Sequence, residues 1–320
     1  MSTYEIDVTR EGRFVLALEQ SLGAFRCTSG LEAACHAALR TSGKLLRPRI
    51  LLTMAGAGSG DPVSGQAIDA AVAVELMHLA SLAHDDVMDT AETRRSQPAV
   101  QAAFGTTAAL LAGGRLVARG LELVAPLGPE LAVAYATTAS EMCEGQMLEL
   151  QTAGDVGRTE DQYFAAIAGK TAALFALAGR AGALVARHDR SLVEEATRFG
   201  RELGLAYQLV DDLLDLTATT EQLGKPVCAD VHAGVYTLPL ILAMAREPAL
   251  GALLGGDVEP AGVRRIAELV RTSGALEACC DAAQAHLDGA RDALMLTPSP
   301  MPLVPILDQV EAMLDDVRRA

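Results

Sequence analysis

The stretch Leu79-Ala80-Ser81-Leu82-Ala83-His84-Asp85-Asp86-Val87-Met88-Asp89 decides the fold. It closes a segment, Ala67–Asp89, that is apolar nearly all the way round, which marks a helix buried at the centre of a bundle rather than one lying on its surface. The pattern returns 126 positions later as Leu205-Ala206-Tyr207-Gln208-Leu209-Val210-Asp211-Asp212-Leu213-Leu214-Asp215. Two similar helices therefore carry the same acidic ending, at a spacing far too long for a solenoid repeat, and the echo reads as pseudo-symmetry within one fold. Ala172–Ala186 is equally apolar on all sides.

Outward from these segments the same period holds. Ala and Leu dominate, aromatics are 3%, Trp is absent, and apolar positions recur at helical rather than alternating spacing, so an all-α architecture is expected, with no convincing strand. Thr159-Glu160-Asp161-Gln162 and Ser191-Leu192-Val193-Glu194 have the capping-box spacing of helix starts. Gly and Pro clusters, among them Gly58–Pro62, Gln97-Pro98, Pro126–Pro129 and Glu221–Pro226, divide the chain into roughly ten or more helices. No linker of distinct composition interrupts it, so residues 1–320 are expected to form a single domain.

Half of the 320 residues are apolar and 21% are charged, enough to bury a large core and too little charge for a disordered chain. A net charge of −15 argues against nucleic acid and anionic membrane surfaces as partners. Glu75, Lys170 and Arg180 interrupt the greasiest stretches below the ~18 apolar residues of a spanning helix, so no transmembrane segment is expected. The acidic Met1–Asp7 start does not resemble a signal peptide, and the expected location is cytoplasmic. The six cysteines lack paired zinc spacing. Cys27, Cys35, Cys143 and Cys228 are expected to pack as small reduced hydrophobes.

In D-D-x-x-D on a helix, positions i and i+4 stack on one face and i+1 lies about 100° round, so three carboxylates crowd one helix end. Like charges this close repel and need a cation. Mg2+ suits them, because it takes oxygen ligands, often only one or two carboxylates, and completes its shell with water and phosphate. One such triplet is as readily a solvated helix end. Two copies, each ending a buried helix, are not. Bases that could receive phosphate are spaced between them: Lys44 and Arg47 beside Pro48, the adjacent Arg94 and Arg95, Lys170 in Gly169-Lys170-Thr171, and Lys225 in Gly224-Lys225-Pro226.

As a set, in order and spacing, these motifs, with Glu75…His78, Asp230 and Thr237-Leu238-Pro239, closely resemble the trans-isoprenyl diphosphate synthases, or polyprenyl synthetases, over about Thr41 to Met244. The resemblance implies an all-α bundle around a deep central apolar cavity, usually as a homodimer, in which an allylic diphosphate bridged by about three Mg2+ ionises and is attacked by isopentenyl diphosphate. It assigns Asp85, Asp86, Asp89, Asp211, Asp212 and Asp215 to metal, and Arg94, Lys170, Thr171, Gln208 and Lys225 to the allylic diphosphate. Lys44, Arg47, His78 and Arg95 match the isopentenyl diphosphate site, and Asp230 an outer metal partner. Ala80 and Ser81 occupy the positions that set product length. Both are small, which implies a product of geranylgeranyl length or beyond.

Three positions depart from the family pattern: Ser96 stands where Gly is usual, Gly114 follows Gly113 where Asp is common, and Val235 replaces a frequent basic residue. None is a metal ligand. A terpene cyclase on the same fold would not need Lys44, Arg47, His78 and Arg95, and a non-catalytic partner subunit should have lost one acidic triad. A prenyltransferase retains both, as this chain does.

Overall fold

The computed structural model describes residues 15–18, 20, 29–41, 43–56, 64–217, 228–254, 260–297 and 303–319. Among them lie fifteen α-helices, one 3-10 turn at Ala125–Leu127, one π-helical turn at Ala168–Ala172 and a two-residue-per-strand hairpin. They divide into two compact units. One is Met1–Ala139 with Leu177–Thr197 and Thr297–Ser299; the other is Ser140–Ala176 with Arg198–Leu296 and Pro300–Ala320.

The first unit holds α1 (Ser29–Leu39), α2 (Leu46–Gly56), α3 (Gly65–Met88), the hairpin β1–β2 (Thr93–Arg94, Gln97–Pro98), α4 (Val100–Phe104), α5 (Thr106–Val124) and the start of α6 (Pro129–Gln151). Helix α3 packs against α1, α2, α4 and α5. Its Val72, Leu76, Leu79 and Ala80 are all buried, which is why its sequence shows no polar face. Ser64 caps it, accepting from Ala67 N at 3.1 Å. Where α5 passes α3, a Cβ on Gly113 would lie 2.2 Å from the His84 ring, so the histidine occupies the space a side chain there would take.

Both strands of the hairpin are too short to carry an alternating pattern, which is why none was legible. Its turn residues, Arg95 and Ser96, have φ of 49° and 61°, the left-handed pair of a type I′ turn.

The second unit runs from the rest of α6 through α7 (Glu160–Ile167), the π turn, the start of α8 (Ala173–Val185) and most of α9 (Arg190–Thr217). It closes with α10 (Ala229–His232), α11 (Leu238–Arg246), α12 (Pro248–Leu254), α13 (Pro260–Thr272), α14 (Ala275–Met295) and α15 (Val304–Arg319). Leu216, Tyr236, Leu240, Ile266 and Val270 share one core here. Thr159 and Gln162 form the expected capping box of α7. The second expected box does not form: α9 begins at Arg190, and Asp189 Oδ1 accepts from Leu192 N at 2.9 Å, so Ser191 lies inside the first turn. A carboxylate two residues upstream won the cap.

By length and composition alone Gly65–Met88 and Glu160–Val185 could each cross a membrane, with windows of mean hydropathy 1.3 and 1.2, and most of each is buried within the protein. One expectation from composition needs correction. Cys143 is exposed, unlike the buried Cys35 and Cys228, because it sits on an outer face of α6; Cys27 lies outside the described residues.

Candidate active site

The first acidic triad closes α3. Asp86 is 1% exposed, Asp85 half-buried and Asp89 exposed, its N–H closing the helix onto Asp85 O. Asp86 points inward because Arg94, from β1, donates through Nε to its Oδ1 at 2.7 Å. Three carboxylates thus sit on a helix C-terminus, itself the negative end of the helix dipole.

The hairpin turns the next guanidinium elsewhere. Arg95 donates through Nη1 to Thr41 O and lies over Gly43, where any Cβ would collide with it. His78, two turns before Asp85, lies in the field of this cationic group. Burial and the guanidiniums of Arg47, Arg95 and Arg94 hold its imidazole well below its ordinary range, so it is neutral near pH 7. The unit thereby gathers Arg47, His78, Arg94 and Arg95, while Lys44 projects as an exposed side chain. Ala80 is buried, and the half-buried Ser81 donates its hydroxyl to His78 O at 2.8 Å.

The second triad lies within α9, with Asp211 exposed and Asp212 and Asp215 buried. Asp212 is tied from two sides: Tyr163 Oη donates to Oδ2 at 2.5 Å and Gln208 Nε2 to Oδ1 at 2.7 Å. Burial and neighbouring Asp230 hold its carboxyl well above the usual carboxylate range, with the two hydrogen bonds pulling the other way. Asp215 Oδ2 accepts from Asp230 N at 3.2 Å and its backbone carbonyl accepts from Cys228 N at 2.9 Å, so this aspartate organises the start of α10.

Lys170 and Thr171 lie on the π turn, a rare geometry often found at functional sites. Gly145 and Gly169 let α6 run against that turn: a Cβ on Gly145 would lie 2.3 Å from Lys170 N. Lys170 Nζ donates to Glu149 Oε1 at 2.5 Å, and Thr171 Oγ1 to Gln208 Oε1 at 2.7 Å. Lys225 lies outside the described residues.

Three participants had no sequence signal. Tyr163, Arg158 and Glu149 stand in none of the motifs above, and tertiary contact joins them to Asp212 and Lys170.

Among the described residues no three His, Cys, Asp or Glu side chains converge into a closed metal cage. The donors are nonetheless all carboxylate oxygens, of which Asp86 is paired with Arg94. That donor set fits a hard divalent ion completed by phosphate and water, and does not fit a thiolate or imidazole metal.

Residues 28–270 match the polyprenyl synthetase family. The chain belongs to that family. It is 36% identical over 262 residues to nonaprenyl diphosphate synthase from Mycobacterium tuberculosis, covering 80% of this chain and 78% of that one. Its fold matches heptaprenyl diphosphate synthase from Staphylococcus aureus with a TM-score of 0.87 at 27% identity, over 96% of this chain and 98% of the other. A polyprenyl synthase from Caulobacter crescentus, complexed with calcium and isoprenyl diphosphate, aligns with a TM-score of 0.83 at 31% identity, over 97% and 95%. Like its relatives the chain is a prenyltransferase of the all-α isoprenoid synthase fold.

Proposed function

We propose that this polyprenyl synthetase condenses an allylic diphosphate with isopentenyl diphosphate in a Mg2+-dependent reaction and releases a product of geranylgeranyl length or longer. The observation that carries this reading is the split within each triad. Asp86 and Asp212 are tied inward by Arg94, Tyr163 and Gln208, whereas Asp85, Asp89 and Asp211 are the more exposed members. On this reading Asp85, Asp86, Asp89, Asp211, Asp212 and Asp215 would hold the metal, the exposed members open to it and the ties on Asp86 and Asp212 fixing the helix segments that carry them. About three Mg2+ held there would supply neutralising charge to the allylic diphosphate.

The chain's own groups do the rest. Arg94, Lys170, Thr171, Gln208 and Lys225 bind and orient the allylic diphosphate, and cationic charge there favours the leaving group as negative charge grows on it. Lys44, Arg47, His78 and Arg95 receive isopentenyl diphosphate, with neutral His78 serving through hydrogen bonding rather than charge. The double bond of that substrate attacks the allylic C1, and the proton lost in forming the new double bond passes to the departing diphosphate.

A second copy of the chain is the partner this reading implies. Leu110, Leu111 and Leu121 are exposed within about 100° of one another on α5, an unusual apolar face for a surface helix. Light scattering of the purified protein is expected to give the mass of a dimer. The reaction itself is tested by incubating the protein with Mg2+, isopentenyl diphosphate and, separately, dimethylallyl, geranyl or farnesyl diphosphate. Mass spectrometry is expected to show elongated diphosphates. A cyclic hydrocarbon from one substrate, or no product in any mixture, would overturn it.

A further inference from the structure

Behind the second triad lies a buried arm to which prenyl transfer assigns no role. Tyr163 is 1% exposed, and its hydroxyl donates to Asp212 Oδ2 at 2.5 Å. A phenol carries its proton at neutral pH, so at this contact Tyr163 is the donor. Arg158, 3% exposed, lies with its guanidinium 5.6 Å from the Tyr163 ring centroid and donates through Nη1 to Tyr236 O at 2.9 Å. Its Nε and Nη2 have no hydrogen-bond partner among the described residues, so its placement is not explained by hydrogen bonding alone.

The polarity of the chain follows from Tyr163. A protonated phenol facing a carboxylate can only donate. Asp212 accepts twice, from Tyr163 Oη on Oδ2 and from Gln208 Nε2 on Oδ1, which sets the Gln208 NH2 toward it. The Gln208 carbonyl is left for Thr171, whose hydroxyl spends its hydrogen there. Thr171 then presents lone pairs to the site, suited to a water or cation that stands between it and the diphosphate.

We propose that Tyr163, backed by Arg158, is a positioning residue that fixes the orientation of Asp212 and, through Gln208 and Thr171, the donor and acceptor polarity of the metal and allylic diphosphate subsite. The proposal rests on the prenyl-transfer reading above. It reaches the site from α7 and the loop before it, whereas the triads themselves end α3 and lie within α9.

Tyr163→Phe removes one hydroxyl and keeps the ring over Arg158. MgCl2 titrated calorimetrically into the protein in the presence of an unreactive allylic thiolodiphosphate is expected to bind about 10–100-fold more weakly in the variant, the usual cost of losing an outer-shell partner. In turnover, KM for isopentenyl diphosphate should stay unchanged while the Mg2+ requirement rises. A lower melting temperature with unchanged Mg2+ affinity would show a merely structural hydrogen bond and overturn the proposal. Should that variant fail to fold, Arg158→Met keeps the phenol and withdraws its backing cation. A smaller fall in the same affinity is expected, and no fall would overturn the proposal. Absence of prenyl transfer by the unaltered protein would instead overturn the reading beneath it, and this one with it.

Discussion

Arg94 Nε lies 2.7 Å from Asp86 Oδ1, and this ion pair ties down the buried Asp86 while Asp89 of the same triad is exposed. The three aspartates of one motif should therefore fail differently. Asp85→Ala and Asp211→Ala are expected to lower kcat by at least about a hundredfold, the scale of losing a key electrostatic stabiliser, with little change in melting temperature. Asp86→Ala strands the half-buried Arg94 guanidinium and should also cost about 1–3 kcal/mol of stability. Equal melting temperatures for Asp85→Ala and Asp86→Ala would show that the inward tie carries no weight.

The two substrates should separate by mutation. Arg47 and Arg95 bear on His78 in one unit, whereas Lys170 and Thr171 sit on the π turn in the other. Arg47→Ala is expected chiefly to raise KM for isopentenyl diphosphate, with any loss in kcat measuring contacts that strengthen toward the transition state. Steady-state kinetics with each substrate varied in turn decides it, and a rise confined to the allylic KM would reverse the assignment.

His78 makes stability depend on pH in a definite direction. Its folded pKa is held well below the ordinary value by burial and then by Arg47, Arg95 and Arg94. The unfolded chain titrates near about 6.5, so below that pH it binds a proton that the folded chain refuses. The contribution is present above about pH 6.5 and lost as pH falls further. His78→Gln should therefore lose less melting temperature than the unaltered protein between about pH 7.5 and about pH 5.5.

Ser96 occupies a left-handed turn position at φ 61°, a conformation that favours glycine. A non-glycine residue there costs roughly 1–2 kcal/mol in local sterics, against about 0.5–1 kcal/mol of chain entropy recovered by not being glycine. Ser96→Gly should thus stabilise the protein by up to about 1 kcal/mol. Thermal denaturation measures it, and a lower melting temperature would mean that the serine hydroxyl has a role in the hairpin.

What could be read from the chain follows the range of each interaction. Helix α3 and the α7 start were legible because burial all round and the Thr159–Gln162 box are written within one segment. The acidic triads were legible for the same reason, but their internal division was not. Asp86 and Asp89 look alike in sequence, and the contact from Arg94 on β1 marks Asp86 apart. Tyr163 and Asp212 lie 49 residues apart, and Lys170 and Glu149 21, distances at which neither propensity nor spacing predicts a partner.

Product length tests the geometry of α3 most directly. The two positions one turn before Asp85 are both small, yet the structure distinguishes them. Ala80 is 1% exposed and already in contact with the core, while Ser81 is half-buried with its hydroxyl returned to the helix backbone at His78 O. A ring at Ala80 would overpack that core at a cost of about 1–3 kcal/mol, so a lost product there could reflect a damaged fold. Ser81 is only half-buried, so a ring there displaces less of the packed core than one at Ala80. Ser81→Phe is therefore expected to keep its melting temperature and to shorten the product by one or more five-carbon units, read by mass spectrometry of the chain-length distribution. Ala80→Phe should shorten it too where the variant remains folded. A folded, active Ser81→Phe with an unchanged distribution would mean that the growing chain does not pass this turn of α3 and that another residue sets its length.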